Sequence, residues 1–353
     1  MSAPQTDSAT TAPLVIEPLT DAAAPAWDAF VQAHPEASFF HLSAWRRVLE
    51  QAFGQPTHFL QARRGDAVVG VLPLAHQRSL LFGNALIALP FCVYGGIVAS
   101  DAEAHTQLLA AAKQLAERLK VDHLELRNRR APEPDLPVKE LYYTFRKAIA
   151  ADDDANLKAI PRKQRAMVRK GINAGLHAEP DPNIERFFHA YATSVRNLGT
   201  PVFPKRYFEL LRQAFPAHSE ILTITHDGQT VASVLSFFFR DEVLPYYGGG
   251  TEAARALKGN DFMYWSVMQR AAAAGYRLFD YGRSKQGTGS FDFKKNWGFE
   301  PEPLYYQYYL VRAEKIPDIN PLNPKYRLFI NAWQRLPLAI ANRLGPLLAR
   351  RLG

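Results

Sequence analysis

The sequence has little of three things on which many proteins depend: cysteine, long apolar runs and metal-ligand pairs. Cys92 is the only cysteine among 353 residues, which excludes an internal disulfide or a thiolate metal cluster and fits a reducing cytoplasm. No run reaches 18 apolar residues, so no segment is predicted to span a bilayer. Neither a His-Glu-x-x-His pair nor a Gly-x-Ser-x-Gly elbow occurs, and we therefore expect no metal and no covalent enzyme intermediate.

Acidic residues are missing from two stretches of the chain that are rich in basic residues. The chain as a whole carries a net charge of +8, which favours anionic partners such as phosphates, nucleic acid or an acidic membrane surface. Residues 158–170 contain basic residues and no acid: Lys158, Arg162, Lys163, Arg165, Arg169 and Lys170. Residues 319–353 likewise contain basic residues and no acid: Lys325, Arg327, Arg335, Arg343, Arg350 and Arg351. Because a purely solvated face usually mixes both signs, each stretch is predicted to meet an anion.

An internal repeat organises the chain into two domains. Residues 65–74 align with residues 228–237, and each segment follows an apolar strand and begins at a Gly or Asp turn, which is typical of a β-hairpin. Tyr94-Gly95-Gly96 aligns with Tyr247-Gly248-Gly249, and in each copy a predicted helix and another strand follow. We expect a strand that ends in Gly-Gly in both copies.

These patterns predict an α/β fold with mixed sheets, divided into four segments. Residues 1–13 are rich in Ser, Thr, Ala and Pro and are predicted to be disordered, without the features of a signal peptide. The first domain is predicted over 14–151, the second over 152–312, and a basic amphipathic tail over 313–353.

Two motifs in the second half resemble a known family. Residues 279–284 place Asp-Tyr-Gly after an apolar strand, and residues 289–299 read Gly-Ser-Phe-Asp-Phe-Lys-Lys-Asn-Trp-Gly-Phe. This segment, together with the basic stretch 160–176, resembles the second domain of the Fem-like (FemAB-type) transferases of the acetyltransferase (GNAT) superfamily. The resemblance implies tandem GNAT-like domains with a C-terminal helical tail. The stretch 89–96 is similar to the exosortase- and exopolysaccharide-associated subgroup.

The resemblance implies that a lysine lies near the acyl donor. Lys294 matches the Phe-Lys position of the family motif and is the candidate catalytic cation, with Lys295 as a candidate phosphate ligand. A surface lysine pair is usually only solvated charge. Here the four aromatic residues within 291–299 indicate a loop that packs and holds its lysines.

A carboxylate at the end of the preceding strand is the second catalytic candidate. Asp280 is predicted either to accept the proton of the acceptor amine or to cap the following turn through an Asx-type bond. Arg283, three residues later, is predicted to pair with Asp280 or with a donor phosphate.

The glycine-rich segment 247–261 joins a predicted strand to a predicted helix. Acetyltransferases bind the pyrophosphate of coenzyme A in this position, through backbone N–H groups and the helix N-terminus. Candidate ligands there are Tyr247, Gly249, Arg255, Lys258 and Gly259. The family's usual glycine spacing is absent, and a turn of this composition also forms without a ligand. The donor therefore stays open between acyl-coenzyme A, an acyl carrier protein and aminoacyl-tRNA.

Arg162, Arg165 and Arg169 recur at helical spacing after Pro161 and predict one basic stripe. This stripe suits an anionic donor or a phosphate-bearing, lipid-linked acceptor. The tail 321–353 predicts an amphipathic helix from Pro324 onward, either packed on the second domain or bound to an anionic membrane.

These observations favour an N-acyltransferase of the cytoplasm, either free or peripheral on the inner face of the membrane, that acts on an amine of a cell-envelope or exopolysaccharide precursor. The alternative is a non-catalytic scaffold with a degenerate acyltransferase fold that binds nucleic acid or membrane. Basic residues without interleaved aromatics on a strand face disfavour RNA reading.

Overall fold

The computed structural model describes residues 12–79, 83–130, 133–317 and 324–350, with only the backbone for 324–327. The predicted disordered segment 1–13 lies almost wholly outside the described residues. The chain divides into two compact units. The first unit comprises Met1–Glu140 and Tyr305–Ile316, and the second comprises Leu141–Leu304 and Pro317–Leu352.

The first 140 residues supply most of the first unit. Their helices are α1 (Ala24–Ala33), α2 (Trp45–Phe53) and α3 (Ala102–Arg118). Their strands are β1 (Leu14–Pro18), β2 (Leu60–Arg64), β3 (Ala67–Leu72), β4 (Leu74–Ser79), β5 (Gly83–Ala88), β6 (Val98–Ala99), β7 (His123–Asn128) and β8 (Val138–Lys139).

The next 164 residues, 141–304, supply most of the second unit. Their helices are α4 (Asp153–Ala159), α5 (Arg162–Asn173), α6 (Ile184–Asn197), α7 (Lys205–Ala214), α8 (Ala253–Leu257), α9 (Gly259–Ala273) and α10 (Gly289–Asn296). Their strands are β9 (Tyr142–Ala148), β10 (His177–Pro180), β11 (Ser219–His226), β12 (Gln229–Phe239), β13 (Glu242–Gly250), β14 (Leu278–Asp280), β15 (Ser284–Lys285) and β16 (Pro301–Pro303).

Strand β17 (Tyr305–Leu310) and helices α11 (Pro324–Gln334) and α12 (Leu338–Ala349) complete the chain. Helix α11 begins at Pro324, as the sequence predicts. Among the described residues, no helix has the length and hydropathy that crossing a membrane requires.

The two units repeat one arrangement of strands and helices. In the first unit β5 runs parallel to β7, and in the second unit β13 runs parallel to β14. Helix α3 connects the first pair and helix α9 the second. The first unit contains sheets in the order β1-β2-β3-β6 and β4-β5-β7-β17-β8. The second contains β10-β11-β12-β13-β14-β9-β15, with β16 on β9.

The predicted hairpins and helices form at their expected places. Strands β2 and β3 turn at Gly65, and β11 and β12 turn at Asp227 and Gly228, where all three residues have positive φ angles. Helix α3, which the sequence predicts after Tyr94-Gly95-Gly96, buries Leu108, Ala112 and Leu115 in the core of its unit.

The boundary between the units differs from the position expected from the sequence. Strand β9 pairs with β14 and therefore belongs to the second unit, and β17 pairs with β7 and therefore belongs to the first. A division at residues 151 and 312 assumes that each unit is continuous in sequence. Strand pairing between distant segments leaves no local signal in composition, so the sequence pattern did not indicate it.

The Tyr-Gly-Gly motifs of the two halves adopt different structures. Tyr247-Gly248-Gly249 lies inside strand β13, whereas Tyr94-Gly95-Gly96 lies in the loop after β5. Leu89 and Phe91 adopt positive φ angles of 55° and 68°, which turns the chain out of the strand. The prediction of a strand ending in Gly-Gly was therefore wrong for the first copy.

Candidate active site in the second unit

Helix α10 carries the candidate catalytic lysine, and the segment predicted as a loop is therefore mostly helical. Thr288 precedes the helix in extended conformation, and Gly298, with a φ of 78°, follows its end. Phe291 and Lys294 lie three residues apart and both face the interior, while Lys295 is exposed. The helix thus buries one lysine of the pair and exposes the other.

The Lys294 ammonium is held by backbone carbonyls. Its Nζ donates to the carbonyl oxygens of Gly282 and Arg283, at 3.0 and 3.1 Å. It also lies 5.4 Å from the centre of the Phe145 ring, a cation–π distance. An ammonium has three N–H donors. Among the described residues, only these two carbonyl oxygens accept a hydrogen bond from the Lys294 ammonium. The third N–H donor has no acceptor among the described residues.

Burial makes this lysine unusually acidic. Desolvation lowers the pKa of Lys294 to about 7, while the nearby Asp280 carboxylate opposes this shift and Arg283 adds to it. Perturbed pKa values of this kind concentrate at functional sites. At neutral pH the side chain therefore exchanges readily between its charged and neutral forms.

Asp280 is engaged on several sides by its own unit. One oxygen, Oδ1, accepts from the backbone N–H of Gly282 at 2.7 Å, which is the Asx-type cap of the turn. The other, Oδ2, lies 3.2 Å from the Nε of Arg146. Asp280 is 1% exposed. The geometry therefore matches the turn-capping alternative, and Asp280 acts on Lys294 through its charge.

Arg283 lies over an aromatic ring next to this turn. Its guanidinium carbon is 4.6 Å from the centre of the Tyr142 ring, and its backbone oxygen accepts from Lys294. The ion-pair partner of Asp280 is Arg146, which also pairs with Glu242. Lys294, Asp280 and Arg283 are thus brought together by one turn, as the motif implies.

The basic stripe of α5 lines one side of a surface groove. Arg162, Arg165 and Arg169 share this groove with Ala166, Lys170 and Asn173. The opposite face of α5 packs against α9, where Val168 and Gly171 are buried. The Nε of Arg165 donates to the carbonyl oxygen of Ile160 at 3.2 Å. The predicted stripe therefore forms, with its three arginines on one face of α5.

The glycine-rich segment 247–261 is packed more tightly than a phosphate loop requires. A Cβ on Gly249 would lie 2.7 Å from the Cα of Tyr191 on α6, so the absence of a side chain serves strand–helix packing. Gly259 is buried against Val231 of β12 in the same way. Short helix α8 occupies the middle of the segment, and Arg255 on it is exposed.

A carboxylate occupies the start of helix α9. Asp261 lies in its first turn, is 9% exposed, and accepts from Gln164 and from the Nε1 of Trp297. Burial raises the pKa of Asp261, and these two hydrogen bonds oppose the shift. Lys258 precedes the helix and donates to the carbonyl oxygen of Arg255 at 3.1 Å. The first turn of α9 therefore holds a buried, hydrogen-bonded carboxylate.

Tyr247 lies in an aromatic cluster. Its hydroxyl is 2.8 Å from the hydroxyl of Tyr207, and its ring meets those of Tyr191 and Phe208 edge-on. With 5% of its surface exposed, Tyr247 joins β13 to α6 and α7. Its placement is that of a core residue.

Two polar side chains beside the Lys294 carbonyls were not singled out by the sequence. The hydroxyls of Tyr281 and Ser284 are buried and lack a hydrogen-bond partner among the described residues. Buried hydroxyls without a partner are rare in folded proteins and often mark a place for water or ligand. In the sequence, the only signal for these two residues was that they flank Gly282 and Arg283.

The first unit contains a cavity of about 100 Å³ that the sequence analysis also missed. His41, Tyr94 and Arg129 contribute to its lining. Burial lowers the pKa of His41 to about 4, and the buried Nη1 of Arg129 has no hydrogen-bond partner among the described residues. The run Arg127-Asn128-Arg129-Arg130, which spans the end of β7, was the available signal in the sequence. No group of metal-ligating side chains occurs among residues that the structure describes.

Comparison with known proteins agrees with this architecture. Residues 141–295 match the family model described as an acetyltransferase (GNAT) domain. No curated protein sequence matches the chain. Three solved structures are similar over most of their length.

The structure described as FemX has a TM-score of 0.67 and 17% identity, covering 90% of this chain and 100% of that one. A tandem GNAT protein from the clavulanic acid biosynthesis pathway has a TM-score of 0.54 and 13% identity, covering 86% and 100%. The C-terminal domain of a putative lysylphosphatidylglycerol synthetase from Agrobacterium fabrum has a TM-score of 0.53 and 15% identity, covering 81% and 91%.

At these identities the solved structures establish the fold alone. They confirm the predicted tandem GNAT-type architecture and its likeness to the Fem-type fold. The exosortase-associated subgroup stays a prediction. Residues 141–295 of this chain match the acetyltransferase (GNAT) domain model, within a fold that is shared with FemX and with a tandem GNAT protein.

Proposed function

We propose that the second unit transfers an acyl or aminoacyl group directly to an amine, with Lys294 as the catalytic cation. The observation that carries this proposal is the buried ammonium of Lys294, which is fixed by two carbonyl oxygens and has one N–H donor left. A preorganised donor in a dry site is what the oxyanion of a tetrahedral intermediate needs.

The reaction requires no covalent bond to the enzyme. The acceptor nitrogen attacks the donor carbonyl carbon, and the carbonyl oxygen gains the negative charge that Lys294 stabilises. The bond from carbon to the ester oxygen or thioester sulfur then breaks, and the proton lost by the amine neutralises the leaving group. Loss of one oxyanion donor typically costs about 2.7–4 kcal/mol of barrier.

In this proposal Asp280 is a positioning residue. Its carboxylate caps the turn through Gly282, whose carbonyl holds Lys294. Its charge raises the pKa of Lys294 against the effect of burial, which keeps more of the lysine charged. In this proposal Arg283 contacts a phosphate of the donor, whereas the exposed Lys295 has no part in binding or catalysis.

For the donor, we favour aminoacyl-tRNA over acyl-coenzyme A. The stripe of Arg162, Arg165 and Arg169 offers three cations along a groove, which suits the spaced phosphates of an RNA backbone. The first turn of α9 contains Asp261, and a carboxylate there disfavours a second anion such as pyrophosphate at the same helix N-terminus. Acyl carrier protein remains the second choice, because its phosphopantetheine carries a single phosphate.

For the acceptor, we propose an amine on a phosphate-bearing or lipid-linked precursor of the cell envelope or of an exopolysaccharide. The support is the fold shared with FemX and with a lysylphosphatidylglycerol synthetase domain. Aminoacyl-tRNA is made in the cytoplasm, and the proposal places the reaction there.

The test is a transfer assay with the full-length protein. Bulk tRNA charged with radiolabelled amino acids, or radiolabelled acetyl-coenzyme A, is mixed with amine-bearing nucleotide sugars, and amide products are identified by mass spectrometry. We expect product from the charged tRNA, and at least tenfold less from Lys294→Ala, because an oxyanion contact is lost.

The matched control for this assay is Lys295→Ala, since Lys295 is the exposed neighbour on the same helix. Product from acetyl-coenzyme A alone would refute the donor assignment. Absence of product from both donors across acceptors, with a folded protein, would favour a non-catalytic scaffold.

A further inference from the structure

Helices α11 and α12 each have two different faces. One face packs on the rest of the second unit, and the other carries exposed apolar and basic side chains. On the docked side Trp333, Ala341 and Ala349 are buried. Both helices contact α6, and the Nε2 of Gln334 donates to the carbonyl oxygen of Asn197 at 3.1 Å. The predicted packing of this tail on its domain therefore occurs for the described residues.

The outward face keeps large apolar side chains in solvent. Five of the eight large hydrophobic residues that are exposed among the described residues lie on these two helices: Leu328, Phe329, Ile340, Leu344 and Leu347. Leu328 is 82% exposed and Leu347 is 59% exposed. A patch of this kind marks an interaction surface more often than chance exposure.

Arginines are interleaved with these apolar residues. Ile340, Leu344 and Leu347 follow one another at helical spacing, and Arg343 and Arg350 lie on the same stripe of α12. Arg335 is exposed after the end of α11. No described carboxylate forms an ion pair with these three arginines, and residues 319–353 contain no acid.

We infer that this outward face, defined by the five apolar residues and by Arg335, Arg343 and Arg350, binds the surface of an anionic phospholipid bilayer. Apolar side chains that enter the acyl boundary and arginines that reach phosphate headgroups are the two components of interfacial binding. The inference goes beyond the proposed reaction and does not depend on it.

Other occupants fit this face less well. A second copy of the same face would bring arginines opposite arginines without any acid between them, which is repulsive. Nucleic acid would satisfy the arginines but would leave the aliphatic side chains in water. A bilayer with anionic headgroups satisfies both sets of side chains at once.

The test is co-sedimentation of the full-length protein with vesicles of phosphatidylglycerol and phosphatidylcholine, and with phosphatidylcholine alone. We expect binding only to the anionic vesicles, and weaker binding when salt rises from about 0.1 M to about 1 M, as the Debye length shrinks from about 10 Å to about 3 Å.

Two variants separate the charged from the apolar contribution. The triple variant Arg335→Gln, Arg343→Gln, Arg350→Gln should lower the partition coefficient about a hundredfold, at roughly 1 kcal/mol for each arginine near the surface. The double variant Leu344→Gln, Leu347→Gln should lower it at least tenfold, since two leucines no longer enter the acyl boundary.

The matched controls carry equal changes elsewhere. Arg47→Gln, Arg118→Gln, Arg206→Gln removes the same charge from exposed arginines outside the tail. Val15→Gln, Ile172→Gln removes two exposed apolar side chains outside the tail, which are 49% and 44% exposed. Both controls should bind as the wild type does. The inference is overturned by absent binding, by equal loss in the controls, or by concentration-dependent dimerisation that the tail variants abolish.

Discussion

The two units bury the same kind of ion pair at corresponding strands. In the first unit, Arg127 and Glu125 on β7 are 2.7 Å apart, and the hydroxyl of Tyr308 donates to the same carboxylate at 2.9 Å. In the second unit, Asp280 at the end of β14 lies 3.2 Å from Arg146. All of these carboxylates are buried. A paired acid beside this strand is therefore a feature of the architecture that both units share.

The two units differ in the segment that follows that strand in the sequence. Lys294 is the one buried lysine among the described residues, and it belongs to a helix that follows β14 in the second unit. The segment after β7 in the first unit instead contains Arg129 and Arg130, which are not buried. The comparison teaches that the carboxylate maintains the fold, whereas the lysine is the specific addition of the second unit.

Breaking either ion pair should give the largest effect on stability. Glu125→Ala removes the carboxylate that pairs with the buried Arg127, and we expect it to lower the free energy of unfolding by about 3–5 kcal/mol. Asp280→Ala removes one of the two carboxylates that pair with Arg146, and we expect a smaller loss because Glu242 still pairs with this arginine. Urea unfolding measures this, with the exposed Asp292→Ala on α10 as the control. A loss in one unit only would show that the two pairs are not equivalent.

Replacing the buried lysine should have a smaller effect, of opposite sign. Burial lowers the pKa of Lys294 in the folded protein from 10.5 to about 7. Between these two pH values the unfolded chain binds more protons than the folded one, so the free energy of unfolding rises with pH. Below about pH 7 the full cost of burying the charge remains. Lys294→Met removes this cost and should raise the free energy of unfolding by about 1–3 kcal/mol at pH 7, after two lost hydrogen bonds are counted.

The pH dependence supplies the check on that prediction. The difference between Lys294→Met and wild type in urea unfolding should shrink as pH rises from about 7 towards about 10. A difference that stays constant over this window would mean that Lys294 titrates normally and is not buried as described.

The basic stripe should give the smallest effect, on salt dependence. We expect the triple variant Arg162→Gln, Arg165→Gln, Arg169→Gln to bind bulk tRNA without an attached amino acid less salt-dependently. The magnitude of the slope of log affinity against log salt concentration should fall by about 2. Filter binding between low and moderate salt measures it. The control, Arg47→Gln, Arg118→Gln, Arg206→Gln, removes equal charge from exposed residues away from this helix and should leave the slope nearly unchanged.

Much of the fold was predictable from local patterns, because hairpin turns, apolar periodicity and glycine ends are local in sequence. The choice of Lys294 over Lys295 followed from its match to the Phe-Lys position of the family motif, and the structure buries the first and exposes the second. The exchange of β9 and β17 between the units depends on long-range pairing, and no local pattern indicates it. The glycines of the segment 247–261 gave a misleading signal, because close packing and phosphate binding both select glycine.

The central claim is that the charge on Lys294 stabilises the oxyanion of acyl transfer. The most direct measurement is the single-turnover rate of amide formation at about pH 7, comparing Lys294→Ala with Lys295→Ala on the same donor and acceptor. The account predicts a loss of about 10²–10³-fold for Lys294→Ala and a rate within threefold of wild type, roughly, for Lys295→Ala, whose side chain is exposed. Equal rates in the two variants, with both proteins folded, would contradict it.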